Sequence, residues 1–358
     1  MTEYTPGPLL QVAQHTSTAL WNDSADLEEL TQSISFGGVG ATCNPQIAYG
    51  TIKKHLDVWA PRIREIAKAN PTWGEAEVGW QAVKDMSVEA AALLEPIFKE
   101  QHGHNGRLSI QTDPRLHNDA KALADQAESF SQMAPNIIVK VPATSVGVKA
   151  IEDATYRGVS INVTVSFSVP QAVRTAEAIQ RGLDRRVADG KPIDEMGPVV
   201  TIMGGRLDDW LKIVASREQL FIDPGALEWG GIAAIKHAYQ IFQERGFQAR
   251  VLVAAYRNVL QYSELTGGDL VLSPPFAWAK RVNDSGYTPD FDAISKPVPQ
   301  HHLDALMKMP EFRRAYDPDG MTVEEFDTFG PTVRTLRGFL KADCDLETLV
   351  KDIVMPEP

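Results

Sequence analysis

The sequence predicts an α/β chain folded as a (β/α)8 TIM barrel with extra helices. Three observations point there. Eight short β-like runs follow one another along the chain, helical segments of one to several turns separate nearly all of them, and no G-x-G-x-x-G fingerprint follows the first. Such alternation implies parallel strands joined by helical crossovers. Eight units favour a closed barrel over an open doubly wound sheet, and the missing fingerprint argues against a dinucleotide site.

The elements read in order as follows. Residues 1–18 are a polar lead-in with one short helix, marked by Pro6 and Pro8. Thr18 to Asn22 is the first strand, ending at Asp23, and the acids of DSADLEELTQSI suit a helix starting at Asp23-Ser24. Gly37 to Gly40 reads as a turn and ATC as a brief strand ending in Asn44-Pro45. Ile52, Leu56, Trp59, Ile63 and Ile66 share one helix face, which Pro61 is expected to kink or split. A second long helix runs from Trp80 to Phe98. His102 and His104 have no third ligand nearby and read as loop residues rather than a metal site.

RLSIQTD is a strand with Ser109 and Gln111 on one face, followed by an amphipathic helix through Leu116, Ala120, Leu123, Ala127 and Phe130. NIIVKVPAT is the fourth strand, and a helix from Val146 to Tyr156 follows it. VSINVTV is the fifth strand, with Asn162 and Thr164 sharing a face, and a helix from Pro170 to Arg186 comes next. PVVTIM, closed by Gly204-Gly205-Arg206, is the sixth. ARVLVAAYRN, ending at Arg257, is the seventh, and DLVLSPP is the eighth. We read 1–358 as a single barrel domain with a helical insertion at about 46–102 and a C-terminal helical extension at about 281–358.

The bulk numbers bound the function. A net charge of −12 and a pI near 5.2 argue against nucleic acid or an anionic membrane as the main partner, and leave small anionic substrates open. Cys43 and Cys344 suggest no disulfide framework. A basic-then-apolar leader and a membrane-spanning apolar run are both missing, so the expectation is a soluble, cytoplasmic protein, as a monomer or homodimer.

Lys140 is the residue that carries chemistry. It shares a strand face with Ile138 inside an apolar run. If buried, its ammonium form is disfavoured and a neutral amine becomes available to attack carbonyls; the alternative is an ordinary lysine snorkelling from a strand end. In such barrels the chemistry sits at the C-terminal ends of the strands. Polar residues at or near those ends are Asp23, Asn44, Gln111, Lys140, Asn162, Thr164, Arg206 and Arg257. Singly, each has a plain explanation: a helix cap for Asp23, a turn for Asn44, surface charge for the arginines. Together they fit Schiff-base aldol chemistry, with Lys140 attacking a ketose carbonyl and Asp23 taking the proton of the hydroxyl on the breaking bond. Thr164 and Gln111 would hold a water that moves protons, and Asn44 and Asn162 would bind sugar hydroxyls. Arg206, beside a Gly-Gly turn that opens a helix, and Arg257 would clamp a phosphate.

These same stretches carry a resemblance. VKVPAT with Gly147, GVSINVTVSFSVPQA, GATCNP and AAYRN resemble the transaldolase family, in matching order over most of residues 18–280. The resemblance implies a class I aldolase-type barrel without metal or organic cofactor. It implies transfer of a dihydroxyacetone unit between sugar phosphates, as in the pentose phosphate pathway. It places the family's Schiff-base lysine on Lys140 and its acid/base aspartate on Asp23. The substrate asparagines fall on Asn44 and Asn162, the water-holding threonine on Thr164, and the phosphate arginines on Arg206 and Arg257. Thr42, Thr201, Met203 and Tyr256 join the substrate-binding candidates.

Two positions depart from the family pattern. The catalytic glutamate falls on Gln111, and an amide orients a water without taking its proton. The fructose-6-phosphate aldolase branch also has glutamine there but pairs it with a tyrosine after the sixth strand, where this chain has Met203. Tyr256 is a candidate substitute proton donor, or else faces the helical layer. The leading expectation is a transaldolase-type transferase specialised for an unusual donor or acceptor. The alternatives are an aldolase releasing free dihydroxyacetone and a non-catalytic sugar-phosphate-binding barrel.

Overall fold

Eight parallel strands close on themselves in sequence order in the computed structural model, which describes residues 7–357. They are β1 (Ala19–Asn22), β2 (Gly38–Thr42), β3 (Arg107–Gln111), β4 (Ile137–Pro142), β5 (Ile161–Thr164), β6 (Val199–Met203), β7 (Arg250–Ala254) and β8 (Val271–Leu272). The eighth pairs back onto the first. The predicted (β/α)8 barrel with extra helices is therefore the observed fold.

Strand alternation sorts the side chains into two layers. Trp21, Ile138, Val199, Leu252 and Val271 form an apolar cluster inside the barrel. Leu20, Leu108, Ile110, Val139, Val141, Val163, Ile202 and Val253, offset by one, join the larger core shared with the surrounding helices. Lys140 has the parity of Ile138. In register it lies beside Gln111 on β3 and Asn162 on β5.

Several boundaries differ from the sequence reading. Gly38 and Gly40 belong to β2 rather than to a turn. A Cβ on Gly40 would lie 2.5 Å from the Trp21 ring, so glycine is there to admit a tryptophan to the barrel interior. The first helix after β1 spans Leu27–Ser35, and its cap is Asp26, not Asp23; Asp26 Oδ1 accepts from the backbone N–H of Glu28 and Glu29. The break between Pro45–Lys54 and Leu56–Ala69 falls at His55, while Pro61 sits within the second helix. His55 Nε2 and Lys54 Nζ both reach Asp26 Oδ2 at 2.7 Å, which fixes that corner. Gly204 and Gly205 open the helix Gly204–Arg217 directly. The seventh strand ends at Ala254, leaving Tyr256 and Arg257 in the loop. Pro8–His15 supplies the predicted short lead-in helix, and Pro6 lies outside the described residues.

The C-terminal extension returns to the barrel. Its last helix, Gly330–Val354, packs on Pro45–Lys54, Leu56–Ala69 and Glu75–Glu100, all in the 46–102 region, and touches Gly204–Arg217. Trp80 Nε1 donates to Asp343 Oδ1 at 3.1 Å, and Gln171 Nε2 donates to Thr332 at 3.2 Å. Asp327 accepts from the backbone N–H of Ser145 at 2.8 Å, just ahead of that helix. Among the described residues, no helix is long and apolar enough to cross a membrane.

Candidate active site

At the C-terminal end of the barrel lies a cavity of about 410 Å³, and Lys140 reaches into it. The lysine is only 6% exposed, and its amine makes no hydrogen bond or ion pair. Burial lowers its pKa. Asp23 and Cys43 oppose that shift electrostatically, and Arg206 adds to it. The amine is therefore uncharged for more of the time than a surface lysine, which is what nucleophilic attack on a carbonyl requires. Cys43 is fully buried, and burial pushes its thiol up to about 11, so it stays protonated.

The groups around the lysine sit on different strands. Asp23 follows β1 and accepts a hydrogen bond from the Thr42 hydroxyl at the end of β2. Asn44 is the cap of Pro45–Lys54, its Oδ1 accepting from Ile47 N at 2.9 Å. Its turn role and its place on the cavity wall thus coexist. Thr164, Thr201 and Met203 complete the wall from β5 and β6. Thr164 is followed by Val165 at φ +52°, and Ala254 by Ala255 at φ +63°. Left-handed backbone is costly for a β-branched residue. Gln171, fully buried, holds the first bend by donating to the carbonyls of Ala143 and Val165, both at 3.1 Å.

Two arginines mark the outer wall. Arg206 lies in the first turn of Gly204–Arg217, donates to Thr335 Oγ1 at 2.9 Å and stands over the Phe339 ring at 5.6 Å. Gly205 allows the approach of the next loop, since a Cβ there would meet the Ala255 carbonyl at 2.0 Å. Arg257 pairs with Asp209 at 2.9 Å. Its loop is fixed by Gln261 Oε1, which accepts from Arg257 N and Asn258 N at 2.9 and 2.7 Å. Gln261 in turn donates to Asp208 Oδ2 at 3.0 Å. Burial holds the Asp208 carboxyl well above the usual carboxylate range.

Nine predicted residues line the cavity: Lys140, Asp23, Thr42, Asn44, Thr164, Thr201, Met203, Arg206 and Arg257. Three do not. Asn162 is fully buried one layer below, donating to Ser109 Oγ at 3.0 Å and accepting from Thr201 Oγ1 at 2.7 Å. Gln111 stands beside Lys140 in register, with its Oε1 buried and without a protein partner. Tyr256 packs into the outer core, its hydroxyl also without a partner, and burial raises its pKa well above the ordinary phenol value. The tyrosine faces the helical layer, the second of the two placements its position allowed.

Sequence reasoning missed Ser273, at the end of β8, although the rule that strand ends carry the chemistry was enough to nominate it. It also missed Phe339 on the C-terminal helix, for which no local signal exists.

The closed parallel barrel holds a buried lysine amine beside a carboxylate, hydroxyls and arginines at the C-terminal ends of its strands, an arrangement suited to nucleophilic attack on a carbonyl. The model of the Transaldolase/Fructose-6-phosphate aldolase family matches residues 20–328, and the chain belongs to that family. Membership brings the general chemistry of Schiff-base aldolases. Among curated relatives, a transaldolase of Kocuria rhizophila is 28% identical over 246 residues, covering 65% of this chain and 65% of that protein, just under two thirds of its length. One of Thiobacillus denitrificans is 29% identical over 334 residues, covering 83% and 88%, and one of an Arthrobacter species is 26% identical over 316 residues, covering 85% and 82%.

Proposed function

We propose that the protein is a transaldolase-type transferase that moves a dihydroxyacetone unit between sugar phosphates through an imine at Lys140. The observation that carries this reading is the Lys140 amine itself, buried, free of hydrogen bonds and facing a cavity that also holds Asp23 and two arginines. The neutral amine adds to the C2 carbonyl of a ketose phosphate, and loss of water gives the protonated imine. Asp23 takes the proton of the C4 hydroxyl as the C3–C4 bond breaks, and the bonding pair passes into the imine to give an enamine. The shortened aldose phosphate leaves and an acceptor aldehyde takes its place. The enamine attacks that aldehyde while Asp23 returns its proton to the new hydroxyl, and water then releases the product from Lys140.

In this scheme Asn44 binds sugar hydroxyls, and Thr164 holds the water that moves protons, with Gln111 orienting it. Asn162 holds Thr201 and the floor of the site, and Arg206 and Arg257 take the phosphate. Gln111 also favours a second reading, an aldolase that releases free dihydroxyacetone, because an amide cannot act as the base through water. Borohydride reduction with fructose 6-phosphate, followed by peptide mapping, should leave a three-carbon adduct on the peptide containing Lys140. An unmodified Lys140 would defeat both readings and leave a binding barrel. Multiple-turnover release of glyceraldehyde 3-phosphate that depends on erythrose 4-phosphate favours transfer, and multiple-turnover release without it favours cleavage.

A further inference from the structure

Arg206 and Arg257 border a second cavity of about 380 Å³, completed by Asp209, Arg334, Thr335 and Arg337. Four guanidinium groups and one carboxylate face it, a surplus of three positive charges in a chain whose net charge is −12. Most of the molecule's arginines are engaged by carboxylates or backbone carbonyls. Arg334 and Arg337 are different. They lie three residues apart on the C-terminal helix, both exposed, and are the only described arginines with no hydrogen bond, ion pair or ring contact.

Like charges brought together repel unless an anion lies among them. A phosphate monoester carries about −1.5 to −2 near neutral pH. With Asp209, which already pairs with Arg257, counted in the surplus of three, that brings it down to about one positive charge, and Arg334 and Arg337 are the groups left without a partner. The second cavity shares Arg206 and Arg257 with the one around Lys140, so a further anionic group would sit directly beyond the phosphate, away from the lysine. We propose that the outer cavity takes a second phosphoryl group through Arg334 and Arg337, and that the ligand is a sugar bearing a diphosphate rather than a simple monoester. The proposal rests on reading Arg206 and Arg257 as the phosphate clamp, and it adds the substrate class.

Calorimetric titration of the full chain with inorganic pyrophosphate and with inorganic phosphate tests it. The R334Q/R337Q chain should bind pyrophosphate at least about tenfold more weakly than the parent, while phosphate binding weakens by less than about threefold. An R217Q/R281Q chain, which loses two positive charges elsewhere, should keep the parent's preference. If R334Q/R337Q loses no more pyrophosphate affinity than that control, the second phosphoryl site is overturned. Neither outer arginine has a partner to lose, so the substitutions place no burden on the fold. Trapping at Lys140 with dihydroxyacetone, which has no phosphate, reads the Schiff-base reading separately, so failure of one is distinguishable from failure of the other.

Discussion

The two ends of the site are built differently. Around Lys140 the side chains stand on or just past barrel strands, neighbours in register, and their positions follow from closure of the sheet. Around Arg206 and Arg257 the wall comes from a helix's first turn, a loop after β7 and the helix Gly330–Val354. The wall around Lys140 thus comes mostly from the closed barrel, with Phe339 added from the last helix, whereas the wall around Arg206 and Arg257 draws Arg334, Thr335 and Arg337 from that helix. Chemistry and ligand choice are separable in such an arrangement. Substitutions on strands should change the reaction, and those on the C-terminal helix should change what is bound.

The sharpest test of that separation is Lys140→Met, for which we expect loss of borohydride trapping and a fall in turnover of at least about 10³-fold. Trapping in the parent should rise with pH with its midpoint below 10.5, because burial holds the amine under that value. A midpoint at or above 10.5 would contradict the buried amine. The same burial affects stability. Below the folded-state pKa the ammonium is charged in both states, and its desolvation weakens the fold by a constant amount. Between that pKa and 10.5 the unfolded chain binds more protons, so stability rises with pH until the penalty is gone. Lys140→Met should thus be more stable than the parent at neutral pH, with the gain shrinking toward pH 10.5.

The same division explains what was legible in the sequence. Period-2 alternation put Ser109 with Gln111, Lys140 with Ile138 and Asn162 with Thr164 on shared faces, and closure of the barrel is what turns those faces inward. Glycines were harder. Gly38 and Gly40 read as a turn, yet they lie in β2 and Gly40 makes room for Trp21, a contact between strands that no local pattern encodes. Asp23 read as the helix cap, yet the bonds from the backbone N–H of Glu28 and Glu29 assign that role to Asp26. The outer wall was the least legible. Thr335, Phe339 and the two outer arginines lie on an amphipathic helix whose docking partner is far away in sequence.

Gln111 tests the strand-borne end from the opposite direction. Its Oε1 is buried without a protein partner and stands beside Lys140 in register. Replacing it with glutamate supplies a carboxylate base where an amide offers none. General-base assistance contributes about 10²–10⁴-fold where it is fully positioned. Burying the new carboxylate takes back part of that, and we expect Gln111→Glu to raise the transfer rate by about tenfold. The check is glyceraldehyde 3-phosphate release in the presence of erythrose 4-phosphate. An unchanged or lower rate would mean that position 111 does not govern proton transfer.

The smallest effect concerns the helix that closes the outer end. Asp343 on that helix is buried against Trp80, and Arg115, Asp113 and Glu347 face it. Burial pushes its carboxyl up to about 6, and Arg115 opposes this without cancelling it. A folded-state pKa above the unfolded value near 3.8 means the native state binds more protons between those two pH values. Stability contributed by this group is therefore present at low pH and is lost as pH rises through about 6. The substitution Asp343→Asn keeps an acceptor for Trp80 and removes the charge that must be buried. It should stabilise the protein by about 1–2 kcal/mol at pH 7, with the gain fading below about pH 4. Urea unfolding of both chains at about pH 4 and pH 7 measures the difference. A variant equally stable to the parent at both values would show that Arg115 compensates the carboxylate fully. A stabilised variant with unchanged trapping at Lys140 would show that the closing helix can be tightened without touching the reactive end.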